Sequence, residues 1–240
     1  VKAFSPSLIF HLAAQPLVRL SYSEPAETWA TNVLGPLHVL EAVRRSPSVS
    51  ACAVISSDKC YENREWDFAY RENDRLGGKD PYSASKAGTE LVFKSHYESF
   101  FKDSPTKVLS FRAGNVVGGG DWAADRIVPD CIRAFQAGKK AVIRNPSATR
   151  PWQHVLEPLG GYLLAIARAA TDSSRRWTGE SFNFGPASEN SKSVGELVSA
   201  IAKELPGFEY GIDPSANGGL HEAKFLKVSF EKANAWLGWK

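Results

Sequence analysis

Tyr82 and Lys86 are spaced to act together on one face of a helix. They lie four residues apart in "PYSASK", and residues at this separation are neighbours on a helix surface. A free tyrosine has a pKa near 10, too high for a base at neutral pH unless a neighbouring cation stabilises the phenolate. Lys86 could supply that charge, so the pair is a candidate proton acceptor. Taken alone, the same spacing is also typical of an exposed amphipathic helix.

A second polar cluster, "SSDK" at 56–59, follows a strongly apolar segment. The hydroxyl of Ser56 or Ser57 could hold a substrate hydroxyl whose proton Tyr82 removes. Asp58 and Lys59 add a carboxylate and an ammonium, although the two could equally form a solvated ion pair. Side chains alternate between the faces of a strand, so Ser57 and Asp58 can serve one site only if the chain turns at Asp58. We therefore predict a bend there.

Long helical patterns alternate with short apolar runs in the first half of the chain. This order predicts an α/β fold in which helices cover both faces of a doubly wound parallel sheet. In such sheets the active site lies beyond the carboxyl ends of the strands. Polar clusters stand at those ends, at 11–15, 56–59 and 112–115. The predicted strands are 7–14, 51–57 and 107–116, and the predicted helices are 26–45 and 81–101.

After "VVGGGDW" Gly and Pro become frequent and the amphipathic segments become shorter. This change predicts a smaller mixed α/β lobe that binds substrate. We divide the chain into domains at 1–115 and 116–240, and a return of the chain to the first domain around 150–185 stays open. The predicted elements of the second half are helices at 125–137, 155–170 and 193–204 and strands at 140–144 and 181–184.

The composition argues against nucleic-acid-binding, membrane-spanning and metal-binding proteins. The net charge of +3 is too small and too evenly spread to indicate a nucleic-acid or membrane surface. No stretch approaches the roughly 18 uninterrupted apolar residues of a membrane-spanning helix. Cys52, Cys60 and Cys131 lack the spacing of metal ligands and indicate reduced thiols in a cytoplasmic protein. His11 and His154 have no second ligand nearby at useful spacing, so we expect no metal site.

Several longer motifs resemble a known superfamily. "FHLAAQ" (10–15), "YSASK" (82–86) and "FRAGNVVGGGDW" (111–122), with Ser-Asp at a strand end, resemble the extended short-chain dehydrogenase/reductases that act on nucleotide sugars. The segments "SSDKCYENREW", "RAGNVVGGGDWAADRIVPD", "RNPSATRPWQHVLEP" and "FNFGP" are similar to CDP-glucose 4,6-dehydratases. The resemblance covers nearly the whole chain, from His11 to about Gly238.

The resemblance implies a Rossmann-like fold, an NAD cofactor, a CDP-sugar substrate and dehydratase (hydro-lyase) chemistry. Tyr82 would take the proton of the C4 hydroxyl while hydride passes from C4 to the nicotinamide. The new 4-keto group acidifies the C5 hydrogen, water leaves across C5–C6, and the hydride returns to C6. The product would be CDP-4-keto-6-deoxyglucose, made in a cytoplasmic pathway of deoxysugar and O-antigen biosynthesis.

The elimination step needs a proton donor for the C6 hydroxyl and a base for C5. The resemblance makes Asp58 the donor. Many sugar 4,6-dehydratases place Glu directly after this Asp, whereas this chain has Lys59. A lysine is a poor base unless burial or a nearby cation such as Lys86 lowers its pKa. Lys59 could therefore act as the base, or it could stay charged and stabilise the enolate.

The remaining site residues follow from the resemblance and from residue chemistry. Ala13 and Ala14 let the backbone approach a cofactor closely, although tight packing explains them too. Asn32 could equally be capped or solvent-facing, Arg112 could be structural, and each arginine of the lobe could be a surface charge. Guanidinium groups match diphosphate oxygens. The predicted cofactor contacts are Ala13, Ala14, Gln15, Asn32, Ser56, Tyr82, Lys86 and Arg112. The predicted substrate contacts are Asn115, Arg126, Arg144, Arg150, His221 and Glu222.

Other interpretations stay open. The superfamily's G-x-x-G-x-x-G loop, which binds the dinucleotide pyrophosphate, has no counterpart here. The chain starts at Val1 and contains no methionine, so we expect that roughly 65–70 residues of the nucleotide-binding fold precede it. The alternatives are a nucleotide-sugar 4-epimerase, which needs no elimination acid, and a non-catalytic nucleotide-sugar-binding or assembly protein. Helices 26–45 and 88–102 could form the four-helix interface of a homodimer or homotetramer.

Overall fold

The structure is a computed structural model, and it describes residues 1, 3–187, 191–217 and 225–240. In these ranges the strands are β1 (Leu8–His11), β2 (Ala51–Ile55), β3 (Lys107–Ala113), β4 (Val116–Val117), β5 (Ala141–Ile143), β6 (Thr149–Arg150), β7 (Gln153–His154), β8 (Ser181–Phe184), β9 (Lys192–Ser193) and β10 (Tyr210–Ile212). The α-helices are α1 (Val18–Ser23), α2 (Pro25–Trp29), α3 (Gly35–Arg44), α4 (Pro81–His96), α5 (Ile127–Gln136), α6 (Leu156–Thr171), α7 (Val194–Glu204) and α8 (Glu231–Leu237). Short π-helical segments, Ala30–Leu34 and Tyr97–Phe101, follow α2 and α4, and 3₁₀ turns cover Asp58–Cys60 and Pro214–Asn217.

A four-stranded parallel sheet in the order β1-β2-β3-β8 forms the centre of the fold. Leu8 pairs with Ala51, Ala51 with Lys107, and Ser110 with Ser181. This register brings the carboxyl ends of all four strands to one edge. The α/β fold with a parallel sheet that the sequence predicts is confirmed.

Helices cover both faces of this sheet, because alternate residues of each buried strand point in opposite directions. On β2, Ala51 and Ala53 belong to one core, whereas Cys52 and Val54 belong to the other. Full burial of a large apolar side chain contributes about 1.5–3 kcal/mol. The first core, with α6, contains Phe111, Tyr162, Phe182 and Phe184, and the second, with α3 and α4, contains Leu40, Phe93, Phe101 and Val108.

The start of α4 fixes the position of Tyr82. Asp80 caps the helix by accepting a hydrogen bond from the Ser83 N–H at 2.9 Å, and Pro81 occupies the first turn, where its missing N–H costs nothing. The hydroxyl of Ser83 also donates to Asp80 Oδ2 at 2.6 Å. Tyr82 therefore lies in the first turn of α4, next to the carboxyl ends of the strands.

A smaller core joins α5 and α7 to the two-stranded parallel sheet of β5 and β10. Its buried members are Cys131, Ala141, Ile143, Val198 and Phe208. Between β5 and α7 the chain returns to the central sheet, where β8 pairs with β3 and α6 packs in the first core. The domain boundary after residue 115 stays a prediction.

The predicted long elements match the structure within a few residues. The helix expected at 26–45 comprises α2, a π-helical segment and α3, and the strand expected at 107–116 ends at Ala113 before β4. Helices α1 and α8 were not predicted from the sequence. They have six and seven residues, and elements this short barely show helical periodicity. Of the residues described, no helix is long and apolar enough to cross a membrane.

Candidate active site

The chain turns sharply where β2 ends. Ser57 has an extended backbone and caps a 3₁₀ turn that begins at Asp58, accepting the N–H of Lys59 at 3.2 Å. The Ser57 hydroxyl in turn donates to Asp58 Oδ1 at 3.0 Å. The predicted bend at Asp58 is confirmed, and it directs the side chains of Ser57 and Asp58 to one site.

One cavity of about 410 Å³ lies at the carboxyl ends of the strands. It collects residues from the end of β2, the start of α4, the end of β3 and the smaller lobe. The predicted residues that line it are Ser56, Ser57, Asp58, Lys59, Tyr82, Asn115, Arg126, Arg144 and Arg150. The structure therefore brings the proposed base, acid and three arginines to the same space.

Tyr82 is 7% exposed. Burial raises its pKa to about 12, although the Ser57 hydroxyl lowers the pKa and the Asp58 carboxylate raises it further. The net shift is therefore upward, and the stabilisation of the phenolate by Lys86 stays a prediction. The cause is that desolvation of the phenolate outweighs the attraction of nearby cations.

Lys86 lies one turn further along α4 and is 4% exposed. Burial lowers its pKa to about 8, against the opposing effect of Cys60 and Glu90. In the described ranges its ammonium group has no hydrogen-bond partner. His11 Nε2 is also buried and unpartnered there, and burial, together with the charge of Lys86, lowers the pKa of His11. Both side chains keep polar atoms available for a ligand.

Arg112 lies in a buried ion pair rather than in the cavity. Its Nη2 donates to Glu90 Oε2 at 2.7 Å, and its Nη1 donates to Tyr61 Oη at 2.7 Å and to the Glu72 carbonyl at 2.9 Å. These groups occupy both terminal nitrogens of Arg112, whereas its Nε has no hydrogen-bond partner in the described ranges. The assignment of Arg112 as a cofactor contact stays a prediction. Ser56 is similarly engaged, because its hydroxyl donates to Glu90 Oε1. The Ser57 hydroxyl also donates, but its partner Asp58 lines the cavity and Tyr82 lies beside it, so Ser57 is the better placed of the two serines to meet a substrate hydroxyl.

Side-chain hydrogen bonds from Asn32 hold the loop after β1 in place. Asn32 is 1% exposed, accepts the Gln15 N–H at 2.8 Å and donates to the Gln15 carbonyl at 3.0 Å. It also donates to Ser85 Oγ on α4 at 2.9 Å. Asn32 is thus neither solvent-facing nor a helix cap, and it fixes the loop against α4. Ala13 is exposed and Ala14 half-buried in that loop, so the loop offers backbone without bulky side chains.

Two predicted arginines face aspartates inside the cavity. Arg144 lies 2.9 Å from Asp125, and Arg126 lies 3.6 Å from Asp121. A third arginine, Arg19 of α1, lies 3.4 Å from the same Asp125 and also lines the cavity. Arg19 was not predicted as a site residue because α1, the helix that carries it, was not predicted.

The remaining predicted residues are Lys59, at the cavity, and two residues of the C-terminal part of the chain. Lys59 is partly exposed, with Nζ 3.5 Å from Asp58 Oδ1. His221 and Glu222 lie outside the described residues. Glu90 was also not predicted as a site residue. It lies four residues after Lys86, which repeats the Tyr82–Lys86 spacing, and this signal could have identified it. No group of three or more His, Cys, Asp or Glu side chains suited to a metal occurs in the described part of the chain.

Comparisons with known proteins agree with this geometry. A family model described as GDP-mannose 4,6 dehydratase matches residues 1–240. The CDP-glucose 4,6-dehydratase of Salmonella typhimurium is 46% identical over 100% of this chain and 67% of that protein. The solved structure of MoeE5 in complex with UDP-glucuronic acid and NAD superposes with a TM-score of 0.79 at 26% identity, covering 98% of this chain and 73% of that one. A UDP-glucuronic acid 4-epimerase from Bacillus cereus gives 0.84 at 19% identity over 100% of this chain and 71% of the epimerase, which shows a shared fold alone.

Proposed function

Because this chain belongs to the GDP-mannose 4,6-dehydratase family, we propose that it dehydrates CDP-glucose to CDP-4-keto-6-deoxyglucose with NAD as cofactor. The observation that carries the proposal is the cavity shared by Tyr82, Ser57, Asp58 and Lys59. An epimerase needs no carboxyl group beside its base, whereas a dehydratase must protonate a leaving hydroxyl. The 46% identity to a CDP-glucose 4,6-dehydratase supports the same choice and the CDP-sugar.

The residues present fit an NAD cofactor. Lys86 offers a buried ammonium without a protein partner in the described ranges, next to an alanine-rich loop that Asn32 holds in place. Ala13, Ala14 and Lys86 would hold the nicotinamide end. NAD, when bound, accepts a hydride from C4 of the sugar and returns it at C6. The relative MoeE5, at 26% identity, was solved with NAD.

The first step belongs to Tyr82 and Ser57. Ser57 Oγ holds the C4 hydroxyl, and Tyr82 Oη takes its proton once the phenol has passed its own proton to the neutral form of Lys86. Lys86, with a pKa of about 8, can exchange protons near neutral pH and so pass the proton onward. The product of this step is a 4-keto sugar.

The second step belongs to Asp58 and Lys59. The C5–H electron pair forms the C5–C6 double bond, the C6–O bond breaks, and Asp58 gives its proton to the leaving hydroxide to make water. Lys59 either removes the C5 proton as a neutral amine, or stays charged and stabilises the enolate while another group takes that proton. After hydride has returned to C6, C5 takes a proton back from the same group. Arg126, Arg144 and Arg150 would bind the diphosphate. Arg126 and Arg144 would exchange their aspartate contacts for phosphate oxygens.

The test is incubation of the full chain with NAD and CDP-glucose, in parallel with UDP-, GDP- and dTDP-glucose. We expect a keto sugar, detected by its absorbance in alkali, with CDP-glucose as the best substrate. A hexose product would instead indicate the epimerase. Binding of the nucleotide sugar without turnover would indicate a non-catalytic protein.

We also infer a cytoplasmic homo-oligomer that serves deoxysugar and O-antigen biosynthesis. The three cysteines are free, as in a reducing compartment. Trp29 is 43% exposed and Leu91 of α4 is 62% exposed, and Trp29 packs at Gly88 of α4. These apolar side chains support the predicted interface between two copies of the chain. Light scattering of the purified protein measures its oligomeric state.

A further inference from the structure

The carboxyl group of Asp58 occupies space that only a glycine leaves open. Asp58 is fully buried, and a Cβ atom added to Gly114 would lie 1.9 Å from Asp58 Oδ2 and 2.2 Å from its Cγ. Contacts under 3.0 Å are essentially never found for real Cβ atoms. The backbone of Gly114 is not in the left-handed region, unlike that of Asn115, which has φ of 46°. Glycine is needed here for close approach and not for conformation.

The backbone of Gly114 cannot easily move away from Asp58. Its carbonyl accepts a hydrogen bond from Gln153 Nε2 at 3.1 Å, and the same amide donates to the Phe184 carbonyl at 3.0 Å. The Gln153 N–H also donates to the Asn115 carbonyl at 3.3 Å. Gln153 therefore ties the end of β3 to β8 and holds residue 114 in place.

The backbone of Asp58 is held equally well. The Cys60 N–H donates to the Ser57 carbonyl at 3.2 Å, and the Gly77 N–H donates to the Cys60 carbonyl at 2.9 Å. If residue 114 gained a side chain, the Asp58 carboxyl group would be the part that yields. Its Oδ1 would then lose the Ser57 hydroxyl at 3.0 Å and the Lys59 ammonium at 3.5 Å.

We propose that Gly114 is a positioning residue that seats the Asp58 carboxyl group for the elimination step, an inference that rests on the proposed dehydration. Asp58 Oδ2 has no hydrogen-bond partner in the described ranges, and both residues line the cavity that contains Tyr82. Tyr82 is placed by α4, through its N–H to Ser21 Oγ at 3.1 Å, and not by Gly114. Displacement of the Asp58 carboxyl group therefore affects elimination more than oxidation at C4, which depends on Asp58 only through its contact with Ser57.

The test is Gly114→Ala in the full chain, with Asp58→Asn in parallel. A displacement of about 1 Å costs on the order of 10²-fold in rate. We expect dehydration of CDP-glucose to fall by about that factor in Gly114→Ala, while reduced nicotinamide accumulates, as in Asp58→Asn. Gly119→Ala is the matched control, because a Cβ atom there meets nothing within 4 Å, and it should match the wild type.

Equal loss of oxidation and elimination in Gly114→Ala, or a wild-type rate of dehydration, would overturn the inference. A double-mutant cycle on the free energy of unfolding tests the contact independently of activity. Gly114→Ala should destabilise the wild type but cost little in an Asp58→Ala background, where the displaced atoms are gone. Equal costs in both backgrounds would overturn it as well. If the wild type dehydrates no nucleotide sugar, the proposed function fails, and the cycle still decides whether Gly114 seats Asp58.

Discussion

The substitution Lys86→Met should stabilise the protein at neutral pH while abolishing turnover. Lys86 is 4% exposed, and burial lowers its pKa from 10.5 to about 8. A shift of this size corresponds to about 3 kcal/mol of unfolding free energy, at about 1.4 kcal/mol per pKa unit. Methionine is similarly long and unbranched, so it can fill the same space without the desolvation cost.

The pH dependence follows from the sign of the shift. Below pH 8 Lys86 is charged in both the folded and the unfolded chain, so the cost of burying the charge is full. Between pH 8 and 10.5 the unfolded chain binds more protons than the folded chain, so stability rises with pH. Above pH 10.5 both states are neutral and the cost is gone. The advantage of Lys86→Met should therefore be about 3 kcal/mol at pH 7 and should vanish by pH 10.5.

Urea unfolding at pH 7 and near pH 10.5, followed by tryptophan fluorescence without added nucleotide, measures this difference. Lys94→Met is the matched control, because Lys94 lies on the same helix with a side chain that is 59% exposed. Its effect should stay within about 0.5 kcal/mol at both pH values. If Lys86→Met changes the free energy of unfolding by nearly zero, or by the same amount at both pH values, burial of the Lys86 charge does not destabilise the fold.

Three further predictions concern the site and its support. Tyr82→Phe should lower the rate of C4 oxidation by about 10²–10⁴-fold, measured as reduction of NAD by CDP-glucose in a single turnover; a near-normal rate would contradict its role as the base. Lys59→Ala should reduce solvent deuterium entering C5 of the product, followed by NMR, and undiminished exchange and turnover would exclude Lys59 from the elimination. Glu90→Ala should destabilise the fold by about 3–5 kcal/mol because it leaves Arg112 charged, buried and unpaired, whereas Glu98→Ala, at an exposed salt bridge, should cost at most about 1 kcal/mol; equal effects of the two changes in urea unfolding would contradict this reasoning.

The sequence predicted the features that depend on local pattern. The apolar run before Ser56 predicted a buried strand, and the spacing of Tyr82 and Lys86 predicted a shared helix face. Alternation along the strand predicted the turn at Asp58. Each depends on residues close together in the chain, where periodicity and turn chemistry decide the backbone.

Features that depend on distant residues were not predictable in the same way. The pKa of Tyr82 is raised by burial, and burial depends on the packing of elements that are distant in the chain, such as α1, whose Ser21 accepts the Tyr82 N–H. The ion pair of Arg112 with Glu90 joins β3 to α4, a contact that sequence spacing does not reveal. The fit between Gly114 and Asp58 likewise depends on the parallel register of β2 and β3.

Transfer of a label from C4 to C6 tests dehydration most directly. CDP-glucose carrying deuterium at C4 would be converted with NAD, and the product examined by NMR. If Tyr82 and Asp58 act in one cavity as proposed, the deuterium should appear at C6 of a 4-keto-6-deoxy sugar. Deuterium that stays at C4 of a hexose, or an unchanged substrate, would contradict the proposed dehydration.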